Sequence, residues 1–294
     1  MSLTLLPDAI AAGLCTGAVY GIVALGYNLV YSATGILNLA QGDLVMAAMM
    51  LTWLCVTVWH LPFVVTFVLV LVAVVAISAV EERFVVRPFL GRGDGNIGWF
   101  ISTIGFSIVV LGVVSVLFGD HPIVPIPSFL SGVGFEVLGV LLVPVQLLVL
   151  GALIVLLVAL ELFLKYTVMG LRMRGTAEDR EAVGLRGVDP VAVSRLAFVL
   201  GGVIAAVGGF VVGPLVATDV SVGLVLSVKG FIALAIGGFG NLRAGVAAAL
   251  FLGVAEQVFD LYVNAQYELV VGLVLLLAVL TLKPAGFSVA ARRV

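Results

Sequence analysis

The chain has 294 residues, of which 63% are hydrophobic and only 10% charged, with a mean hydropathy of +1.33 and a formal net charge of −2. A soluble domain carries about 25% charged residues, so this composition excludes a soluble globular protein and offers no basic surface for nucleic acid. It is the composition of an integral membrane protein.

A span needs about 20 mostly apolar residues to cross the hydrocarbon. Uniformly apolar runs of that length are helices, because lipid cannot satisfy an open backbone. In chain order the candidate spans are Ala9 to Tyr31, Ile36 to Trp59, Pro62 to Val80, Ile97 to Phe118, Gly139 to Phe163, Leu196 to Val216, Leu224 to Phe239, Ala244 to Phe259 and Tyr267 to Leu282. The expected fold is therefore an all-α polytopic transmembrane helix bundle of about nine spans, eight to ten at the limits. It forms one domain over residues 1–294, with some helices short or broken.

The first span carries Gly13, Gly17 and Gly21 at every fourth position, a spacing that lets helix backbones approach closely. The same stripe recurs at Ala197, Gly201, Ala205, Gly209 and Gly213, and at Gly245, Ala249 and Gly253. Cys15 and Cys55 fall inside apolar spans, where a free thiol behaves as a small hydrophobe.

Between the first two spans the stretch GILNLAQGD places Asn38, Gln41 and Asp43 beside an apolar run. Polar side chains at membrane depth are expensive and face a cavity or the bundle interior. Asn38 and Gln41, with Asp43, are thus candidates to line a translocation path, or else to cap a broken helix. Tyr27, Asn28 and Tyr31 are weaker candidates, since aromatic residues near a span end anchor at the interface. The stretch GFIALAIG at Gly230 matches GILNLAQG at Gly35 in its Gly, Leu, Ala and Gly positions, a weak indication of a repeat around two helix breaks.

Basic loops stay on the cytoplasmic side, and of the 14 Lys and Arg residues every one but Lys229 falls on a single side. These are Arg83, Arg87 and Arg92, the run from Lys165 to Arg195, Arg243, and Lys283, Arg292 and Arg293. The N-terminus is then outside and the C-terminus cytoplasmic. MSLTLLPDAI lacks the basic region of a secretory signal.

The densest charge lies in a cytoplasmic loop at about 165–190. There Thr176 and Asp179 form a capping-box-like helix start, with Glu178 and Asp179 placed where the dipole favours negative charge. A short helix should run to Gly184 or Gly187, and Asp189 and Pro190 read as the N-cap and first position of the next. Such a loop is either a solvated connection or a docking element for a soluble partner.

Lys229 alone sits within an apolar span, and a lone ammonium there would cost at least about 2.5–3.5 kcal/mol. It precedes the turn near Asn241 by about as many residues as Glu256 follows it, which sets the two at similar depth. Glu256 is the expected partner, with Asp43 the alternative. Asp43 and Glu256 read as the only acidic residues clearly within spans.

Nothing here is catalytic. His60 and His121 both lie in loops, no H-E-x-x-H appears, and no Gly-Lys pair completes a nucleotide loop. Neither a metal nor a cofactor is expected on this chain. A polytopic bundle without an energy-converting motif is a pore, a carrier or the membrane part of a larger machine.

EAVGLRG, Glu181 to Gly187, resembles the E-A-A-x-x-x-G cytoplasmic loop of ATP-binding-cassette importer permeases, with Glu181, Ala182 and Gly187 matching and Val183 in place of the second Ala. The I-x-L-P ending of the longer motif is absent. With GILNLAQGDLVMAAMM and VKGFIALAIGGFGNLRAG, the chain resembles over nearly its full length the permeases of branched-chain (Leu/Ile/Val) amino-acid importers. Urea and short-chain amide importers use closely similar permeases.

The resemblance implies a multi-pass permease in a prokaryotic cytoplasmic membrane. It implies pairing with an identical or related permease chain, two cytoplasmic ATPase subunits that alone bind ATP, and an extracytoplasmic substrate-binding protein. Glu178, Asp179, Glu181, Ala182 and Gly187 would form the ATPase-coupling element. A stand-alone carrier or channel is the competing class.

Overall fold

The computed structural model describes residues 5–89, 98–119, 134–137, 140–178, 180–216, 218–263 and 267–282. Among these the regular structure is helical apart from one small hairpin. The order is α1 (Leu6–Thr34), α2 (Gln41–Trp53), α3 (Phe63–Glu81), α4 (Gly98–Phe118), β1 (Phe135–Val137), β2 (Val140–Leu142), α5 (Pro144–Tyr166), α6 (Val168–Glu178), α7 (Arg180–Leu185), α8 (Pro190–Val212), α9 (Val222–Gly237), α10 (Leu242–Tyr262) and α11 (Glu268–Leu282). Among the described residues, seven helices are long and apolar enough to cross a membrane, and two shorter apolar ones, Val222–Gly237 and Leu269–Leu282, lie where further spans are expected.

Helix ends follow local chemistry. Pro stands in the first turn of α1, α5 and α8, where its missing N–H costs nothing. Asp189 caps α8 by accepting from the Val191 N–H at 2.9 Å, and Asn241 caps α10 through the Ala244 N–H at 3.1 Å.

α1 is central and packs on α5, α8, α9 and α10. Its glycine stripe meets that of α10 with almost no spacer: a methyl on Gly17 would stand 2.7 Å from the Ala249 carbonyl oxygen, and one on Gly13 2.6 Å from the Val254 Cα. On α8, a methyl on Gly209 would sit 2.5 Å from the Val45 carbonyl oxygen of α2. The outer helices α3, α4, α5 and α11 expose apolar side chains such as Val64, Ile101, Val155 and Leu277, the surface a membrane protein presents to lipid or to another transmembrane chain. Cys15 and Cys55 are buried and free.

Four sequence expectations need correction. The span expected from Gly139 starts as helix only at Pro144, because Val140–Leu142 pairs antiparallel with Phe135–Val137. α3 does not stop at Val80; it continues through a π-helical turn, Glu82–Val86, and a 3₁₀ turn, Arg87–Phe89. Thr176 caps nothing, since it lies within α6 and donates to the Arg172 carbonyl at 2.8 Å. The cap is Thr167, whose hydroxyl accepts from the Gly170 N–H at 2.9 Å. Finally, the two stretches compared as a repeat differ, for Gly230 to Gly237 is the last part of α9, whereas Gly35 to Ala40 is a break.

Candidate functional site

The break between α1 and α2 organises the interior. Gly35 ends α1 with φ 70°, a left-handed conformation that glycine adopts without penalty, and donates its N–H to the Tyr31 carbonyl. The chain then turns back. Tyr27, about 12 Å up α1 from Gly35 at 1.5 Å per residue, places its hydroxyl 3.4 Å from the Leu39 carbonyl oxygen and 3.3 Å from that of Ser227. The Ser227 hydroxyl also donates to Leu39 O at 3.2 Å. Residues 35–40 therefore run alongside the last turns of α1, and α2 begins inside the bundle.

The three polar residues at this re-entrant corner go to three different helices. Asn38 accepts from the Ala40 N–H at 3.0 Å and donates from Nδ2 to Oε2 of Glu81 on α3, also at 3.0 Å. Gln41 donates from Nε2 to the Gly201 carbonyl of α8 at 3.1 Å. Its amide rests on Gly26 of α1, where a methyl would overlap it. Asp43 accepts from the Ser107 hydroxyl of α4 at 2.5 Å, and its other oxygen lies against Gly223 of α9. All three are buried, as is Glu81. Glu81 is thus an acidic residue within the bundle that gives no such signal in the sequence, where Glu-Glu-Arg at the end of an apolar run looks like the start of a charged loop.

Asn28 is not an interfacial anchor. It clamps the turn between α9 and α10, accepting from the Gly240 N–H at 2.7 Å and donating to the Asn241 carbonyl at 2.9 Å. Tyr31 stacks against Phe239 of the same turn, with ring centroids 5.0 Å apart.

Lys229 and Glu256 stand together. Nζ lies 2.5 Å from Oε1, with Lys229 1% and Glu256 0% exposed. The Tyr20 hydroxyl of α1 donates to the second Glu256 oxygen at 3.0 Å, and its ring lies 5.4 Å from Nζ. The triad links α1, α9 and α10. Tyr20 gave no signal in the sequence, since a Tyr inside an apolar span is commonplace. Asp43, the alternative partner for Lys229, is bonded to Ser107 instead.

In the charged loop, α6 buries Gly170, Met173 and Thr176 on one face, while α7 packs on α6 and leaves Leu185 91% exposed. Glu178 ends α6 and is exposed; Ala182 lies in α7 and is exposed. Gly187 follows α7 with φ 81°. Asp179 lies outside the described residues, as does the side chain of Glu181, whose backbone belongs to α7. The basic residues Arg92, Lys283, Arg292 and Arg293 used for sidedness also lie outside them. Among the described residues, no three His, Cys, Asp or Glu side chains group as a metal-binding set.

The family model described as "Branched-chain amino acid transport system / permease component" matches residues 9–280. The chain is 29% identical over 287 residues to the high-affinity branched-chain amino acid transport system permease protein LivH of Escherichia coli (strain K12), covering 93% of this chain and 92% of that one. It is 30% identical to its Salmonella typhimurium counterpart with the same coverage, and 29% identical over 288 residues to BraD of Pseudomonas aeruginosa, again over 93% and 92%. Among solved structures it is similar to PsaBC from Streptococcus pneumoniae in complex with Fab, at a TM-score of 0.46 and 14% identity, over 91% of this chain and 89% of that chain.

Proposed function

The chain belongs to the family of permease components of branched-chain amino acid transport systems, and from that premise we propose that it is the membrane-spanning subunit of an ATP-binding-cassette importer carrying Leu, Ile, Val or related amino acids. The observation that carries the reading is the family match over residues 9–280, which takes in both the re-entrant corner and the charged loop. The chain has no nucleotide loop of its own, so ATP is bound by two cytoplasmic ATPase subunits. A second permease chain completes the pore, and an extracytoplasmic binding protein delivers the cargo in a prokaryotic cytoplasmic membrane.

In this reading the loop at 165–190, with Glu178, Asp179, Glu181, Ala182 and Gly187, is where the ATPases dock. Support comes from the exposed α7 held on a buried-faced α6. Asn38, Gln41 and Asp43 mark the translocation path, supported by their burial at a helix start inside the bundle. Lys229 and Glu256 hold two of the helices around it. Purification of the tagged chain in mild detergent tests the assignment. Two ATPase subunits, a second permease chain and a binding protein specific for branched-chain amino acids should accompany it; a chain that purifies without ATPase would overturn it.

A further inference from the structure

α8 is capped by Asp189, two residues after Gly187, and runs unbroken from Pro190 to Val212. Two of its carbonyls are held from neighbouring helices. The Ser78 hydroxyl of α3 donates to Phe198 O at 2.7 Å, and Gln41 Nε2 of α2 donates to Gly201 O at 3.1 Å. These carbonyls lie about 12 and 17 Å along α8 from Pro190 at 1.5 Å per residue. Both donors are buried.

Little between these helices can absorb a displacement. A methyl on Gly202 would stand 2.9 Å from the Ser78 Cβ, and one on Gly209 2.5 Å from Val45 O. Packed interiors pass strain on rather than deform. The two bonds also flank the tie between Asn38 and Glu81, for Gln41 follows Asn38 by three residues and Ser78 precedes Glu81 by one turn. Gln41 Oε1, moreover, is buried with no hydrogen-bond partner, so this amide is half satisfied in the observed arrangement. Such a group carries a desolvation penalty that another arrangement can relieve.

We propose that Gln41 and Ser78 are positioning residues through which α8 sets the re-entrant segment, so that displacement of the loop at 175–190 carries α8 and, with it, the corner formed by Asn38, Gln41 and Glu81. The inference rests on the reading of that loop as the ATPase-docking element. It adds which bonds pass the motion inward. Ser78 is not among the residues proposed to mark the translocation path, so its variant reads this role apart from any contact of Gln41 with cargo.

The test uses the complete importer, with both permease chains, ATPases and binding protein, reconstituted in liposomes. Uptake of leucine and hydrolysis of ATP are measured together with thermal stability. Gln41→Met and Ser78→Ala each remove a donor while the α8 carbonyls stay inside their helix, so folding should be kept. Losing one bond should lower leucine taken up per ATP about fivefold, and losing both by about 25-fold if independent. In Ser78→Ala, ATPase docking and hydrolysis should persist. Gly26→Ala, which pushes on the Gln41 amide from α1, should show the same signature. An unchanged uptake-to-ATP ratio in the variants overturns the proposal, as does a parallel fall of uptake, hydrolysis and stability, which marks a merely structural role. A wild-type complex with no ATP-driven uptake overturns the docking reading itself.

Discussion

Replacing Lys229 by Met removes one half of a buried ion pair. Glu256 would keep the Tyr20 hydroxyl at 3.0 Å but lose the ammonium at 2.5 Å, in a position that is 0% exposed. Stranding a buried charge in this way costs about 3–5 kcal/mol, whereas replacing both partners by neutral groups of similar volume is close to neutral. Lys229→Met and Glu256→Gln should therefore each be strongly destabilising, while the double variant, in which Gln can still accept from Tyr20, recovers most of the loss. The coupling energy of the cycle should be at least about 2 kcal/mol. Equilibrium unfolding in mixed micelles measures it, and uptake of branched-chain amino acid by the reconstituted importer supplies a second readout. Additive effects, with a coupling energy near zero, would refute the reasoning.

Asn28→Leu should destabilise the bundle by about 1–3 kcal/mol, because the buried Asn28 side chain loses its bonds to the Gly240 N–H and the Asn241 carbonyl, each worth about 0.5–1.5 kcal/mol; unfolding in micelles reads it directly. Gly17→Ala should cost about 1–3 kcal/mol by overpacking the crossing of α1 and α10, where the added methyl would meet Ala249 O and the Leu250 Cα at 2.7 Å. Glu181→Lys and Gly187→Pro should abolish ATP-driven uptake while leaving membrane insertion intact, with co-purified ATPase as the readout. Proline holds φ near −65° and cannot take the φ of 81° found at Gly187.

What the sequence made legible was whatever depends on local chemistry or on depth. Runs of apolar residues located the helices, Asp189 and Pro190 marked the start of α8, and counting residues from Asn241 put Lys229 and Glu256 at one level, where the structure sets them 2.5 Å apart. Tertiary choices were illegible. Glu81 follows an apolar run and precedes Glu82 and Arg83, so locally it resembles the first residue of a solvated loop; only Asn38, folded back from the re-entrant corner, gives it a buried partner. Thr176 and Thr167 offer the same hydroxyl, and the helix boundary, set by packing of α6 on the bundle, decided which one caps. Asn28 reads as a residue near a span end because nothing local shows that the turn at Gly240 and Asn241 will lie beside it.

We propose that this chain moves branched-chain amino acids only as part of an ATP-driven assembly. Leucine uptake into liposomes measures it most directly, comparing the chain alone, the complete importer without ATP, and the complete importer with ATP and loaded binding protein. Accumulation in the last case alone is the expected result. Uptake by the isolated chain, with neither ATP nor partner subunits, would contradict the account.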